Sequence, residues 1–477
     1  MRRPGALNAS VRPGHEHAHW FILDHFWSVV DRSRRTSGDR TRRKIGHLRL
    51  ARRLLCPGAM DSRVDISNRP ESVPSVVVIG QDVSMMRQEA LDQFVAAAAL
   101  PGCVRAAAMP DLHPGRGIPV GASFAISGRV YPHLVGGDAG CGARVVCTRV
   151  DQISRDRLER HLRREFSDPP QPFSEGEATR CFEAVWSLGP RGFLEVSGVP
   201  DLLLELSWAE PVDDGLPASG TPSPLDGSAA SLLGTIGGGN HFAEVSLVES
   251  VTDPEMARGL GLVKGKVACV AHSGSRAIGA GLAARWCNGQ PLTAGDLDRY
   301  VAELAGACRF ARANRLVLVY RLLRALGVTS ASEISGCFDV THNDVRAETC
   351  DGAAVWVHRK GAAPAHAGLP TVVLGSRGAL SYVMVGQGDE RSLRSVAHGA
   401  GRRMSRTEAG WRLRKRYRKD ELSRFSAGSR VLCDDTDLLY EEHPDVYKPV
   451  DRIVGALEDA DTAYRVAALA PLVTVKL

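Results

Sequence analysis

No uninterrupted apolar run of about 18 residues occurs in the 477-residue chain, so no segment has the length of a membrane-spanning helix. The most apolar stretch, ANRLVLVYRLLRALGV, is interrupted by Arg315, Arg321 and Arg324 at near-helical spacing and reads as an amphipathic helix. Eleven cysteines are present without one C-x-x-C pair. That excludes a zinc ribbon. An odd, unpatterned set also argues against a disulfide scaffold and for free thiols in a reducing compartment, the cytoplasm. A basic body is missing as well. The net charge of +6 resides in residues 1–59, with 13 Lys/Arg against 4 Asp/Glu, whereas the remainder holds 47 against 50. The isoelectric point is therefore no argument for a nucleic-acid partner.

What is present is an ordinary globular composition, 44% hydrophobic and 24% charged, able to bury a sizeable core. Residues 1–59 are arginine-dense and read as a disordered arm or as the product of a misplaced start, with translation beginning at Met60. From Met60 to the end, short apolar runs alternate with glycine turns and helical patterns. SVVVIG, KVACVAH, AAVWVHRKGA, TVVLGS and SYVMVGQ read as strands. MMRQEALDQFVAAAAL and AIGAGLAARWCN read as helices, and RTEAGWRLRKRYRKDELSRF as a basic helix. Residues 211–230 read as a mobile Pro/Gly/Ser surface loop. Without repeats or a βαβ beat, the pattern predicts one large α+β domain over 60–477, with mixed sheets flanked by helices.

The candidate chemistry clusters around LVGGDAGCG, where Asp138 and Cys141 sit among glycines. Four histidines share a context of strand ends and small residues: His241 in GGGNHF, His272 in AHSGSR, His342 in VTHND and His398 in HGAGR. One such histidine is usually structural. Four beside a carboxylate and a thiol form a mixed ligand set for a transition metal, with room for two ions bridged by the thiolate. Thiolate favours zinc and a hard carboxylate suits manganese, so the donors alone leave the metal open. The loops GGGNHF, LGSRG, GQGDE and HGAGR expose backbone N–H groups able to cradle phosphates, with Lys360, Arg402, Arg403 and Arg406 nearby in sequence.

These motifs, with MPDLHPGRGIPVGASF and HRKGA, occur in the order seen in the RtcB family of GTP-dependent RNA ligases, which the chain resembles from about residue 75 to its C-terminal VTVKL. The spelling PDLHPGRGIPVG is most similar to the bacterial subgroup encoded beside release factor H. The resemblance implies two Mn²⁺ ions bridged by Cys141, one completed by Asp138 and His241, the other by His272 and His342. It implies His398 as the nucleophile that takes GMP from GTP. Asn240, His241, Phe242, Ala243, Glu244, His342, Asn343, Leu374, Gly375, Ser376, Arg377, Ser381, His398, Gly399, Ala400, Gly401 and Lys476 would surround the nucleotide. Asp111 and His113 belong to a family motif near the metals. The implied reaction passes GMP to an RNA 3′-phosphate, opened from a 2′,3′-cyclic phosphate, for attack by the 5′-hydroxyl of a second end. The implied partners are broken tRNA or rRNA, with a functional link to a release factor or an archease and none to a membrane. Ala139, Ala143 and Leu374 depart from the family's usual residues without removing a ligand. Two rivals remain: a dinuclear-metal cyclic phosphodiesterase, which needs neither His398 nor Lys476, and a non-catalytic RNA-binding relic, which needs no intact site.

Overall fold

The computed structural model describes residues 74–80, 85–151, 153–167, 173–220, 228–425 and 428–476. The arginine-rich tail at 1–59 and residues 221–227 of the Pro/Gly/Ser loop lie outside these. In chain order the strands are β1 (Ser75–Val78), β2 (Cys103–His113), β3 (Val120–Ile126), β4 (Gly142–Asp151), β5 (Phe242–Val251), β6 (Lys266–Ser273), β7 (Ile334–Thr341) and β8 (Asn343–Cys350). They continue with β9 (Ala353–Lys360), β10 (Ala362–Pro364), β11 (Pro370–Val373), β12 (Ser381–Gly386), β13 (Ser395–Ala397), β14 (Arg430–Leu432) and β15 (Ala463–Val475).

The larger sheet runs β11-β12-β15-β5-β6-β4-β7, with β14 alongside β15. The second runs β1-β2-β3-β9-β8, and β10 pairs with β13. Both sheets are mixed: β1 and β14 pair in parallel, the rest antiparallel. Helices flank them, as the α+β pattern predicts.

KVACVAHS is apolar at every position but its ends because β6 is buried on both faces. Val267, Cys269 and Ala271 enter the core under the long helix Ala294–Leu326, while Ala268 and Val270 enter the core on the opposite face. A strand covered twice has no polar face to alternate with. Register then builds the site. Phe242 pairs with His272, and Gly142 pairs with both Ser273 and Thr341. In this antiparallel order the start of β5, the end of β6, the start of β4 and the end of β7 meet at one edge. His241, His272, Cys141 and His342 are the residues at those four ends.

Three expectations change. ANRLVLVYRLLRALGV belongs to a 33-residue helix that is buried along most of its length, not amphipathic against solvent. Arg315 is fully buried and Arg321 nearly so, each held by hydrogen bonds, and only Arg324 reaches water. The basic helix ends at Leu413. Beyond it one loosened turn over 414–416 keeps the Tyr417 N–H on the Leu413 carbonyl before a 3-10 turn at Lys419–Leu422, and the Tyr417 ring stacks on His443 at 4.3 Å between centroids. Five further cations crowd residues 414–419, and like charges at helical spacing disfavour continuing the helix. The described part of the Pro/Gly/Ser loop is tied down, since Arg309 binds the Asp214 carboxylate and the Leu216 and Pro217 carbonyls.

Candidate active site

Cys141 is the centre of the sheet-edge cluster. Its Sγ lies 3.3 Å from His241 Nε2 and 3.4 Å from His272 Nε2. His241 Nε2 is 3.1 Å from Asp138 Oδ2, and His272 Nε2 is 3.3 Å from His342 Nε2. Two groups of donors result, Asp138–Cys141–His241 and Cys141–His272–His342, each with its ligand atoms within 4.8 Å of one another. They share only the sulfur. Thiolate, imidazole and carboxylate converging in this way suit a divalent metal, and the shared sulfur suits a pair. The His272 ring is oriented from behind, with Nδ1 3.2 Å from the Asn240 carbonyl, which leaves Nε2 toward the cluster.

Burial sets the charge states of this cluster. It pushes the Cys141 thiol well up, with Asp138 adding to the effect. It pushes His272 and His342 well down, helped by neighbouring imidazoles. Asp138 goes the other way: burial would raise it, but the adjacent His241 outweighs that and holds the carboxyl below its usual range. Its side chain is 40% exposed, toward the cavity.

The glycines of LVGGDAGCG divide their work. Gly136 and Gly137 line the cavity. Gly140 has φ +74°, and a Cβ there would stand 2.9 Å from Ala311 Cβ and 3.0 Å from Cys308 Cα. A Cβ on Gly142 would lie 2.4 Å from the Val340 carbonyl. The second pair therefore serves close packing on the long helix and β7, rather than room for a ligand. Arg315 fastens the same region. Its guanidinium binds the Gly140 and Ser273 carbonyls at 2.8 Å each, the Asp339 carboxylate at 2.6 and 2.8 Å, and Thr341 Oγ1 at 3.2 Å. One buried side chain thus joins the segments that carry Cys141, His272 and His342.

Asp138, Cys141, His272 and His342 line a cavity of about 930 Å³, whereas His241 is not among its lining residues. His398 is in the same cavity wall, its ring 4.7 Å from that of His342. His398 Nδ1 faces Asp111 Oδ2 at 2.8 Å, outside hydrogen-bonding alignment, and the fully buried Asp111 carboxylate has no hydrogen-bond partner. His113 lies beyond, with Nδ1 2.9 Å from the Asp111 carbonyl, and burial lowers it to about 4. Leu374 bridges to Gly399, bringing LGSRG and HGAGR side by side. Charged residues of the wall are Arg87, Arg116, Lys360, Arg377, Arg402, Arg406 and Lys476 against Glu89, Asp138 and Glu442, an excess of four cations.

The model for the family described as tRNA-splicing ligase RtcB matches residues 93–290 and 289–477. The chain belongs to the RtcB family. It is 35% identical over 409 residues to the RNA-splicing ligase RtcB2 of Escherichia coli, covering 84% of this chain and 96% of that protein. It is 32% identical over 442 residues to the RNA-splicing ligase RtcB of Mycobacterium bovis, covering 80% and 100%. It is 29% identical over 434 residues to the tRNA-splicing ligase RtcB of Nanoarchaeum equitans, covering 77% and 87%. The membership accounts for the order of the motifs along the chain.

Of the other residues singled out in the sequence, Asn240, Phe242, Asn343, Leu374, Gly375, Ser376, Arg377, Gly399, Ala400, Gly401 and Lys476 line the cavity of this RtcB protein. Ala243, Glu244 and Ser381 do not. Ala243 is buried within the sheet. Glu244 stands behind the wall, accepting from Thr474 at 2.5 Å and Ser246 at 2.8 Å, and burial raises it to about 7. Ser381 braces the loop by accepting from Gly375 N–H. Lys476 donates to the His241 carbonyl at 2.9 Å, and burial lowers it to about 8. Arg377, 5% exposed, donates to the Leu439 carbonyl and leaves Nε and Nη1 unpaired. Residues outside the sequence reading also belong here. Arg276, in the quoted AHSGSR, lies 3.3 Å from His241 Nδ1, and Glu442 and Tyr447 close the wall near Arg402. Arg276 stood inside a legible motif. Glu442 and Tyr447 had no local signal. Among the described residues no helix is long and apolar enough to cross a membrane.

Proposed function

We propose that this RNA ligase of the RtcB family joins RNA 3′-phosphate or 2′,3′-cyclic phosphate ends to 5′-hydroxyl ends, using GTP and a His398–GMP intermediate. The carrying observation is His398, backed by the buried Asp111 at 2.8 Å, in the same cavity wall as Asp138, Cys141, His272 and His342 of the two donor groups. A cyclic phosphodiesterase needs the donors alone. It gives no role to an imidazole set beside a buried carboxylate, nor to Lys476, which donates to the His241 carbonyl.

With Nδ1 turned to Asp111, Nε2 is the nitrogen left to attack the α-phosphate of GTP, and pyrophosphate departs. The Asp111 carboxylate compensates the positive charge that develops on the ring. The Leu374–Arg377 and His398–Gly401 loops, pinned together by the Leu374–His398 and Ala400–Leu374 backbone bonds, would flank the phosphates, with Arg402 fixed nearby by Glu442 and the Glu441 and Met404 carbonyls. The unpaired Nε and Nη1 of Arg377 and the Lys476 ammonium supply further positive charge. The RNA 3′-phosphate then takes GMP from His398, and the 5′-hydroxyl of the second end displaces GMP to form the new linkage. Asp138, Cys141, His241, His272 and His342 would hold a divalent pair, Mn²⁺ in this proposal, which when bound would supply charge neutralisation for the converging anions and an activated water for opening a cyclic phosphate.

The test is covalent labelling. The protein is incubated with GTP labelled at the α-phosphate and Mn²⁺, then run under denaturing conditions beside His398→Ala, Cys141→Ala and an ATP control. Label from GTP alone, lost in both variants, is expected. No label from a folded, metal-loaded protein returns the assignment to the phosphodiesterase. The motif spelling favours repair of damaged translation RNAs over intron removal. Joining of an intron-type substrate alone, beside toxin-cleaved tRNA and nicked rRNA, would reverse that preference.

A further inference from the structure

The helix Arg406–Leu413 starts at the rim of the cavity, where Met404, Ser405 and Arg406 are wall residues. Its buried side is Ala409 and Leu413. Trp411 stands on the opposite side, 63% exposed, about 7.5 Å of helix rise beyond Arg406. Folding does not require an indole there, since it covers none of the core. Lys415 Nζ sits 3.7 Å from the centre of its ring, and among the described residues no carboxylate pairs with that ammonium.

The run 402–419 is itself strongly basic. It carries Arg402, Arg403, Arg406, Arg412, Arg414, Lys415, Arg416, Arg418 and Lys419 against Glu408 alone, nine cations to one anion. Glu408, Asp437, Glu441, Glu442 and Asp445 pair with five of these arginines, and Asp420, Glu421, Asp434 and Asp435 add acid at its border. The excess is continuous with the cationic wall of the cavity. The interior of a duplex offers phosphates to such a strip but no open base face for the indole. An unpaired strand offers both.

We propose that Trp411 and Lys415 form a docking platform for unpaired nucleotides next to the reacting RNA end, with one base stacked on the indole and the adjacent phosphate on Lys415. The proposal rests on the RNA-ligase reading above and adds where the strand leaves the cavity. The platform lies outside the nucleotide-transfer machinery, so it acts on RNA binding and not on reaction with GTP.

The experiment compares wild type, Trp411→Ala, Trp411→Phe and Lys415→Gln in three measurements: GTP-dependent self-labelling, affinity for a short single-stranded RNA with a 3′-phosphate, and affinity for a blunt duplex of the same sequence. Trp411→Ala is expected to weaken single-strand binding about 5-fold to 150-fold, the span of one base–aromatic stack. Trp411→Phe restores most of it, and neither variant changes self-labelling. Lys415→Gln is expected to lower the slope of log affinity against log salt by about 0.7, the value for one phosphate on a single strand. Single-strand affinity unchanged in Trp411→Ala, or an equal loss on the duplex, overturns the platform and leaves this face to a protein partner. Absence of self-labelling and of RNA binding in the wild type overturns the ligase reading instead.

Discussion

Removing the Arg315 guanidinium should loosen the Cys141-centred donor cluster without touching any of its donors. Arg315→Met deletes the bonds to the Gly140 and Ser273 carbonyls and to Thr341 Oγ1, together with the ion pair to Asp339. Arg144 still holds Asp339, with Nε 3.2 Å from Oδ2, so the carboxylate keeps one partner. Breaking a buried ion pair costs about 3–5 kcal/mol when the remaining charge is orphaned. The retained Arg144 places the expected loss near the lower end, about 3 kcal/mol. The freed carbonyls belong to the residue before Cys141 and the residue after His272. Loss of such supporting contacts weakens metal binding by about 10–100-fold. Co²⁺ is the assay metal, because its thiolate charge-transfer band reports Cys141 directly. Arg315→Lys separates the two effects: an ammonium can keep the pair with Asp339 but cannot reach both carbonyls in the planar fork of arginine. It should retain most of the stability and still lose Co²⁺ affinity. Wild-type Co²⁺ affinity in a folded Arg315→Met protein would refute the reasoning.

Three further outcomes follow from the same geometry. Glu244 titrates near 7 in the folded protein against an ordinary 4.5, so its contribution is present at low pH and is lost as pH rises toward and through 7. The gap corresponds to about 3 kcal/mol, and the stability difference between wild type and Glu244→Gln, measured by urea unfolding from pH 5 to 8, should change by that order; a constant difference contradicts it. Gly140→Ala must hold φ +74° and push a Cβ to 3.0 Å from Cys308 Cα. The expected loss is about 2–4 kcal/mol, read as a lowered urea midpoint, and a neutral result would mean that the loop can lift off the long helix. Arg377→Met removes the guanidinium of a cavity-lining residue whose Nε and Nη1 are buried without a hydrogen-bond partner. GTP affinity by calorimetry should fall about 10-fold or more, the weight of a charge-assisted hydrogen bond, and an unchanged affinity means that this side chain does not meet the nucleotide.

The local patterns along the chain were legible because their causes are local. A strand buried on both faces is written as an unbroken apolar run, so KVACVAHS could be read directly. A strand-end histidine beside glycine is visible in five letters. Arg315 and Arg144 were not legible as buried groups, because their partners Asp339 and Glu210 lie 24 and 66 residues away and only the fold joins them. The same holds for the Pro/Gly/Ser loop, whose composition predicts mobility, while its described part is anchored by Arg309 from the long helix. The basic stretch after Leu413 misled for a different reason. Its composition is helical, but five cations crowd residues 414–419, and the helix gives way to a 3-10 turn at Lys419–Leu422 where Tyr417 packs on His443.

The placing of Asp138 and Cys141 among glycines in LVGGDAGCG has a structural answer in the register of the large sheet. Four strand ends can bring four donors to one edge only if the loop entering β4 passes flush beneath the long helix and beside β7. Gly140 and Gly142 allow that approach, and Arg315 then locks the loop to its neighbours. A side chain at either glycine would displace Cys141 from the position both donor groups share, and a shared ligand cannot be moved for one group alone. The packing requirement and the chemical requirement therefore fall on the same few residues. This is why the glycines surround the thiol, although two of them never reach the cavity.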